Sequence, residues 1–188
     1  MGGSLKYAEI ETMFKKYPEY KDIIKNFIET GTYKGDTTRM ASRHFENVFT
    51  VELNYDLFMY SGQKAEDEGI KNIRHFCGDS TDFLNKIVPD LSGSSIYFID
   101  AHISGQDSSS IQGKEVPLLS ELDAILKNDK KPNIFIIDDA RFWINEKFKP
   151  DDWKEVSLDN ILNIFKTHNV NIKDHYLTFD RYIIFSDF

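Results

Sequence analysis

Phe27-Ile28-Glu29-Thr30-Gly31-Thr32-Tyr33-Lys34-Gly35-Asp36-Thr37-Thr38 is the stretch on which the fold turns, an apolar run that ends in an acid and breaks into two glycines. It reads as a first strand, a tight loop and a helix start. Gly31 and Gly35 let the backbone take conformations closed to other residues and approach a ligand closely, while Asp36, Thr37 and Thr38 are residue types that cap a following helix. Such a loop suits a small polar cofactor held at a strand's carboxyl end. The same letters also suit a plain turn beside a buried acid. The G-x-G-x-x-G spacing of a dinucleotide fingerprint is not met, since its first glycine would fall at Glu29, and a nicotinamide cofactor is disfavoured.

Outward from this loop, 188 residues fit one domain spanning 1–188 with room for a substantial core, much of it from 15 Phe and 9 Tyr. A net charge of −8 argues against broad attraction to nucleic-acid phosphates and favours a small acceptor molecule as partner. Cys77 is the single cysteine, so no disulfide forms within the chain; a buried structural thiol and a cytoplasmic setting are expected. The first residues carry Lys6, Glu9, Glu11, Lys15 and Lys16 without an apolar stretch between them, which argues against a secretory signal. No apolar run approaches the roughly 18 residues of a membrane span, and no membrane partner is expected.

Apolar positions Ile10, Met13, Phe14, Tyr17, Ile23 and Ile24 predict one or two amphipathic helices between Ala8 and Asn26, with Pro18 opening the second. This forms a helical cap over 1–25. Short apolar runs then recur at Val48 to Val51, Ile73 to Cys77, Ile96 to Ile99 and Ile134 to Ile137, with helical stretches such as Tyr55 to Glu68 between them. Alternating strands and helices imply a parallel sheet covered on both faces. After a helical pattern from Leu158 to Phe165, Asn171 to Phe179 and Arg181 to Phe185 predict an antiparallel hairpin turning at Asp180. The Gly- and Ser-rich stretch 103–116 reads as a mobile lid or as a plain surface connection.

Acids stand at the strand ends. Glu52 closes the second strand, where its two oxygens can accept both hydroxyls of a ribose, and Asp79 with Ser80 follows the third. Asp79 also suits a helix N-cap. The fourth strand ends in Asp100-Ala101-His102 and the fifth in Asp138-Asp139. Three carboxylates at neighbouring ends repel unless a proton, a basic side chain or a cation joins them, and a divalent cation, Mg²⁺ first, is the most economical answer. His102 reads as a general base, a further metal ligand or a packed side chain. Arg141, Phe142 and Trp143 line a pocket or, in the more ordinary reading, pair with an acid and fill the core. His44, His75, His168 and His175 read as structural or exposed.

An acid followed by Gly-x-x-x-Gly, then Glu and Gly-Asp at the next strand ends and a terminal hairpin, resembles the class I S-adenosylmethionine-dependent methyltransferases through more than half of the chain. The resemblance implies a Rossmann-like, doubly wound, mostly parallel seven-stranded α/β sheet closed by an antiparallel hairpin. It also implies S-adenosyl-L-methionine bound by Glu29, Gly31, Thr32, Tyr33, Gly35, Glu52, Asp79, Ser80 and Asp100, with Asp79 accepting from the adenine amino group. The Asp100…Asp138-Asp139 pattern is similar to the metal-dependent O-methyltransferases of the macrolide and aminocoumarin sugar type. That likeness implies a metal on Asp100, Asp138 and Asp139, with Asp100 and His102 catalytic, and methylation of a small hydroxylated acceptor such as a sugar or polyol. Ala101-His102-Ile103-Ser104 and the short amino-terminal cap depart from that branch. A metal-independent methyltransferase and a non-catalytic cofactor-binding protein of the same fold are the alternatives.

Overall fold

The computed structural model describes residues 4–101, 116–144 and 149–187. Seven strands form one sheet: β1 (Ile24–Thr30), β2 (Asn47–Glu52), β3 (Ile73–Cys77), β4 (Ser94–Ile99), β5 (Ile134–Ile137), β6 (Asn171–Thr178) and β7 (Arg181–Asp187). Their order across the sheet is β3-β2-β1-β4-β5-β7-β6, with β1 to β5 parallel and β7 antiparallel to both neighbours. This is the doubly wound, seven-stranded α/β sheet with terminal hairpin that the sequence implied.

The helices are α1 (Tyr7–Lys16), α2 (Glu19–Ile23), α3 (Asp36–Ser42), α4 (Tyr55–Asp67), α5 (Ser80–Ile87), α6 (Leu118–Asn128), α7 (Arg141–Ile144) and α8 (Leu158–Thr167). Side chains alternate across the sheet, so each strand feeds two cores. Ile28, Tyr97, Ile99, Phe135 and Ile137 pack with Leu84, Leu122, Ile125, Ile161 and Phe165 on one face. Phe27, Ile96, Phe98, Ile134 and Ile136 meet Ile10, Phe14, Tyr20 and Phe45 on the other. The continuous apolar runs of β4 and β5 follow from burial on both faces.

Three local expectations differ from what is found. The helical span stops at Ile23, because Ile24 and Asn26 already pair with β4 and extend β1 three residues upstream of Phe27. Asp36, Thr37 and Thr38 do not cap α3. Gly35 occupies the N-cap position at φ 75°, and the three side chains are used elsewhere: Asp36 on Arg39, Thr37 on the Leu5 amide, Thr38 on Glu29. Cys77 is exposed rather than buried, since it ends β3, an edge strand. No helix among the described residues is long and apolar enough to cross a membrane.

Candidate functional site

The reversal of strand order falls between β1 and β4, and in open α/β sheets ligands bind at such a point, outside the carboxyl ends. Thr30 pairs with Val51 and Ile99, and Ile99 with Ile137, so Gly31, Glu52, Asp100 and Asp138 leave the sheet side by side. The loop after β1 is tied down at once, with the Gly31 and Thr32 amides donating to the Val51 carbonyl at 3.0 and 3.1 Å. Gly31 has φ +81°, and a Cβ there would lie 2.5 Å from the Asp100 carbonyl oxygen. Only glycine lets the two loops close this tightly.

Glu52 is buried and fixes that loop. Its Oε2 accepts from the Tyr33 amide at 2.7 Å and its Oε1 from the Asn54 amide at 2.9 Å. A carboxylate has about four lone-pair sites, so acceptor capacity is left for the two hydroxyls of a ribose. Tyr33 takes the left-handed conformation at φ 50° to present its amide. Past β3, a side chain at Gly78 would meet nothing within 4 Å, so open space adjoins Asp79. Asp79 Oδ1 accepts from the Thr81 and Asp82 amides at 2.9 and 3.2 Å, making it the N-cap of α5, while Ser80 is buried. Glu29 sits inside the sheet. It accepts from the hydroxyls of Thr38 and Thr50, and burial pushes its carboxyl up to about 8 against the pull of those two bonds. The buried-acid reading of the opening motif therefore describes Glu29, which supports the loop from below. Thr32, hydrogen-bonded to Thr50 at 2.5 Å, does the same.

The expected carboxylate cluster is partly assembled, and guanidinium groups have joined it. Asp138 is buried at the end of β5 facing Arg181, with Nε to Oδ1 at 3.3 Å and Nη2 to Oδ2 at 3.5 Å. Burial raises its carboxyl, the charge of Asp100 adds to the rise, and Arg181 opposes it. Asp139, left-handed at φ 56°, is ion-paired with Arg141, which also holds Asp180. Among the described residues no group of three His, Cys, Asp or Glu is placed to hold a metal ion. Two of the three expected ligands already face permanent cations, Asp138 facing Arg181 and Asp139 facing Arg141. As arranged, these residues do not fit a three-carboxylate centre. His102 and residues 103–115 lie outside the described residues. Arg141 pairs with acids, Trp143 is buried and Phe142 packs on the core, as in the more ordinary reading of that stretch. His44 stacks on Tyr7, His168 bonds Asp123 and His175 bonds Tyr182.

Sequence reasoning missed Glu121. It is fully buried on α6, with the hydroxyls of Ser80 and Thr30 the polar groups nearest its carboxyl. Burial lifts its carboxyl to about 7; the nearby hydroxyls of Ser80 and Thr30 pull it down, and the charges of Asp79 and Asp100 push it up. With Asp100, Asp138, Leu118, Ile137 and Trp153 it lines a small recess at the ends of β4 and β5. The signal was present: Leu118, Glu121, Leu122 and Ile125 fall on one helical face, where an acid breaks an apolar stripe.

No family model matches this chain, and no curated protein does. Solved structures do. An O-methyltransferase, TomG from Streptomyces achromogenes, involved in tomaymycin synthesis and solved with SAM, is 13% identical, with 90% of this chain and 79% of that one aligned at a TM-score of 0.59. A SAM-dependent methyltransferase from Aquifex aeolicus is 14% identical over 92% of this chain and 87% of its own, with a TM-score of 0.57. A S-adenosylmethionine-dependent methyltransferase from Clostridium acetobutylicum is 13% identical over 96% and 98%, with a TM-score of 0.57. At these identities the likeness is one of fold, and the chain has the fold of S-adenosylmethionine-dependent methyltransferases.

Proposed function

We propose that this chain transfers a methyl group from S-adenosylmethionine to a hydroxyl of a small molecule, a sugar or polyol being the first class to try. The observation that carries the reading is the closed β1 loop beside Glu52. Gly31 is pressed against the Asp100 carbonyl, and Glu52 keeps two amides and retains acceptor capacity at the adjacent strand end. Glu52 would hold the ribose, the open ground between Gly78 and Asp79 would receive the base, and Gly31 and Asp100 would bound the methionine part. The O-methyltransferase TomG has the same fold, which supports oxygen as the acceptor atom.

Bound S-adenosylmethionine supplies an electrophilic methyl on a cationic sulfur, which leaves as a neutral thioether. The protein's share is alignment and proton removal. The acceptor hydroxyl must lose its proton as the carbon–oxygen bond forms, and His102, directly after Ala101 at the end of β4, is the base we assign by sequence position. Asp138 keeps its charge balanced against Arg181 at the recess wall, which fixes the wall without a metal. Mg²⁺ assistance, implied by the Asp-Asp pattern, would add a cation beside the Arg181 and Arg141 guanidiniums, and no step is derived through it.

Calorimetric titration of purified, chelator-treated protein with S-adenosylmethionine and then S-adenosylhomocysteine tests this. Micromolar binding followed by methyl transfer in a screen of polyols supports the reading. Folded protein that binds neither ligand refutes it, and binding without any methylated acceptor favours the non-catalytic alternative.

A further inference from the structure

The hairpin of β6 and β7 carries a residue that its turn does not favour. Thr178 pairs with Arg181, so Phe179 and Asp180 make a two-residue loop, and of these two only Phe179 has a positive φ, 52°. The first place of such a loop, when it alone is left-handed, belongs to glycine. A bulky residue there is an outlier, and an apolar ring gains no hydrogen bond in return. Phe179 is also 92% exposed and joins neither core. Both properties weigh against the fold, and residues held under backbone strain cluster where ligands bind. The other left-handed side chains agree. Asn169 follows α8 as an ordinary helix end, whereas Tyr33 and Asp139 leave β1 and β5 at the carboxyl edge of the sheet. Phe179 is at that same edge, because Tyr182 pairs with Ile137, the last residue of β5. The Ala140 amide donates to the Asp180 carbonyl and the Arg141 amide to Asp180 Oδ1, both at 2.9 Å, so the tip of the hairpin is pinned to the chain leaving β5.

We propose that Phe179 is a specificity-determining residue for the acceptor, a platform on which a flat apolar ring of that molecule stacks. The inference rests on the methyl-transfer reading for its reaction and adds a substrate class to it: a hydroxylated molecule that also carries an aromatic ring, such as an aryl glycoside, beyond a free sugar or polyol. Length supports this class. The hairpin stands two to three strands from β4, where Asp100 bounds the methionine part, a gap of about 10–14 Å at the usual strand spacing. One six-membered ring is too short for that gap and two joined rings are not. Offset stacking on Phe179 then selects the acceptor by its far end, and the residue takes no part in bond making.

The experiment uses phenyl β-glucoside and methyl β-glucoside, which share their hydroxyls and differ by the ring. Calorimetry reads both with the wild type, Phe179→Gly and Phe179→Trp, with and without saturating S-adenosylhomocysteine. The wild type should bind the phenyl compound at least tenfold more tightly, and Phe179→Trp should keep that preference. Phe179→Gly, which relieves the turn, should bring the two affinities within threefold while its Tm stays at or above that of the wild type and its affinity for S-adenosylhomocysteine stays within twofold. A side chain with a merely structural role would not couple lost ring preference to an undiminished Tm. A preference that survives Phe179→Gly overturns the proposal, and so does a wild type that binds the phenyl compound no better than the methyl one. A Tm lowered by about 3 °C or more in Phe179→Gly also overturns it, since the side chain then supports the fold. If S-adenosylhomocysteine does not bind, the methyl-transfer reading falls, and the glucoside pair measured without it still judges Phe179.

Discussion

Replacing Glu121 by Gln should change how stability depends on pH. In the folded chain burial holds this carboxyl at about 7, against an ordinary value of 4.5. A carboxyl whose folded value is raised binds more protons in the native than in the unfolded state between those two values. Stability therefore falls as pH rises from 4.5 and levels off above 7. At ~1.4 kcal/mol per pH unit of difference, the loss from this one group reaches ~3 kcal/mol at pH 8 but under ~1 kcal/mol at pH 5. Glutamine removes the titration and leaves an amide with unmet hydrogen bonds, a cost of ~1–3 kcal/mol that does not vary with pH. The stability of Glu121→Gln relative to wild type should thus improve by ~2 kcal/mol between pH 5 and pH 8. Urea denaturation of both proteins at pH 5, 6, 7 and 8 measures it. A difference constant within ~0.5 kcal/mol across that range would falsify the claim that burial raises the Glu121 carboxyl.

Gly31→Ala should abolish cofactor binding and destabilise the fold by ~2 kcal/mol or more, because its Cβ would lie 2.5 Å from the Asp100 carbonyl in a left-handed conformation; thermal melting and calorimetry read both effects. Glu52→Ala should weaken S-adenosylhomocysteine binding ~10- to 100-fold, as charge-assisted hydrogen bonds to the ribose and the acceptor for the Tyr33 amide are lost together; an unchanged affinity would remove Glu52 from the site. Arg181→Met should cost ~3 kcal/mol at pH 8 and less at pH 5, where Asp138 can take up a proton in place of its lost partner. Turnover, once an acceptor is found, should survive EDTA dialysis, and recovery that depends on added Mg²⁺ would restore the metal-assisted mechanism.

The sheet was legible because its signals are local. Val48 to Val51, Ile73 to Cys77 and Ile134 to Ile137 are short apolar runs between turn-rich stretches, and the strands found there match or exceed them by a residue or two. The Gly31 loop was equally plain, since left-handed backbone and close approach leave few residues but glycine. What surrounds a strand in space was harder to read. Cys77 has the apolar company of a buried thiol in sequence, yet β3 is an edge strand, and which strand is at the edge depends on the crossover order. Asp36 looked like a cap because Asp often is one, but the left-handed turn at Gly35 starts α3 a residue earlier and frees Asp36 for Arg39. Glu121 was hidden for the opposite reason: one charged residue in an apolar stripe is easily taken for a solvated edge of the helix.

The counter-ions of the acidic cluster show most clearly why the candidate site was only half readable. Asp138 and Asp139 announce themselves as adjacent acids after an apolar run, whereas Arg181 lies 43 positions further on, at the first residue of β7. It reaches Asp138 because the hairpin inserts β7 beside β5 with Tyr182 opposite Ile137, so the preceding residue falls next to the acid that ends β5. The same guanidinium extends to Glu9 on α1, at 2.5 Å. One side chain therefore ties the terminal hairpin, the amino-terminal cap and the wall of the recess into a single charge-balanced unit. Repulsion among strand-end carboxylates had three possible remedies, and the chain's own topology supplies the basic side chain before any ion is needed.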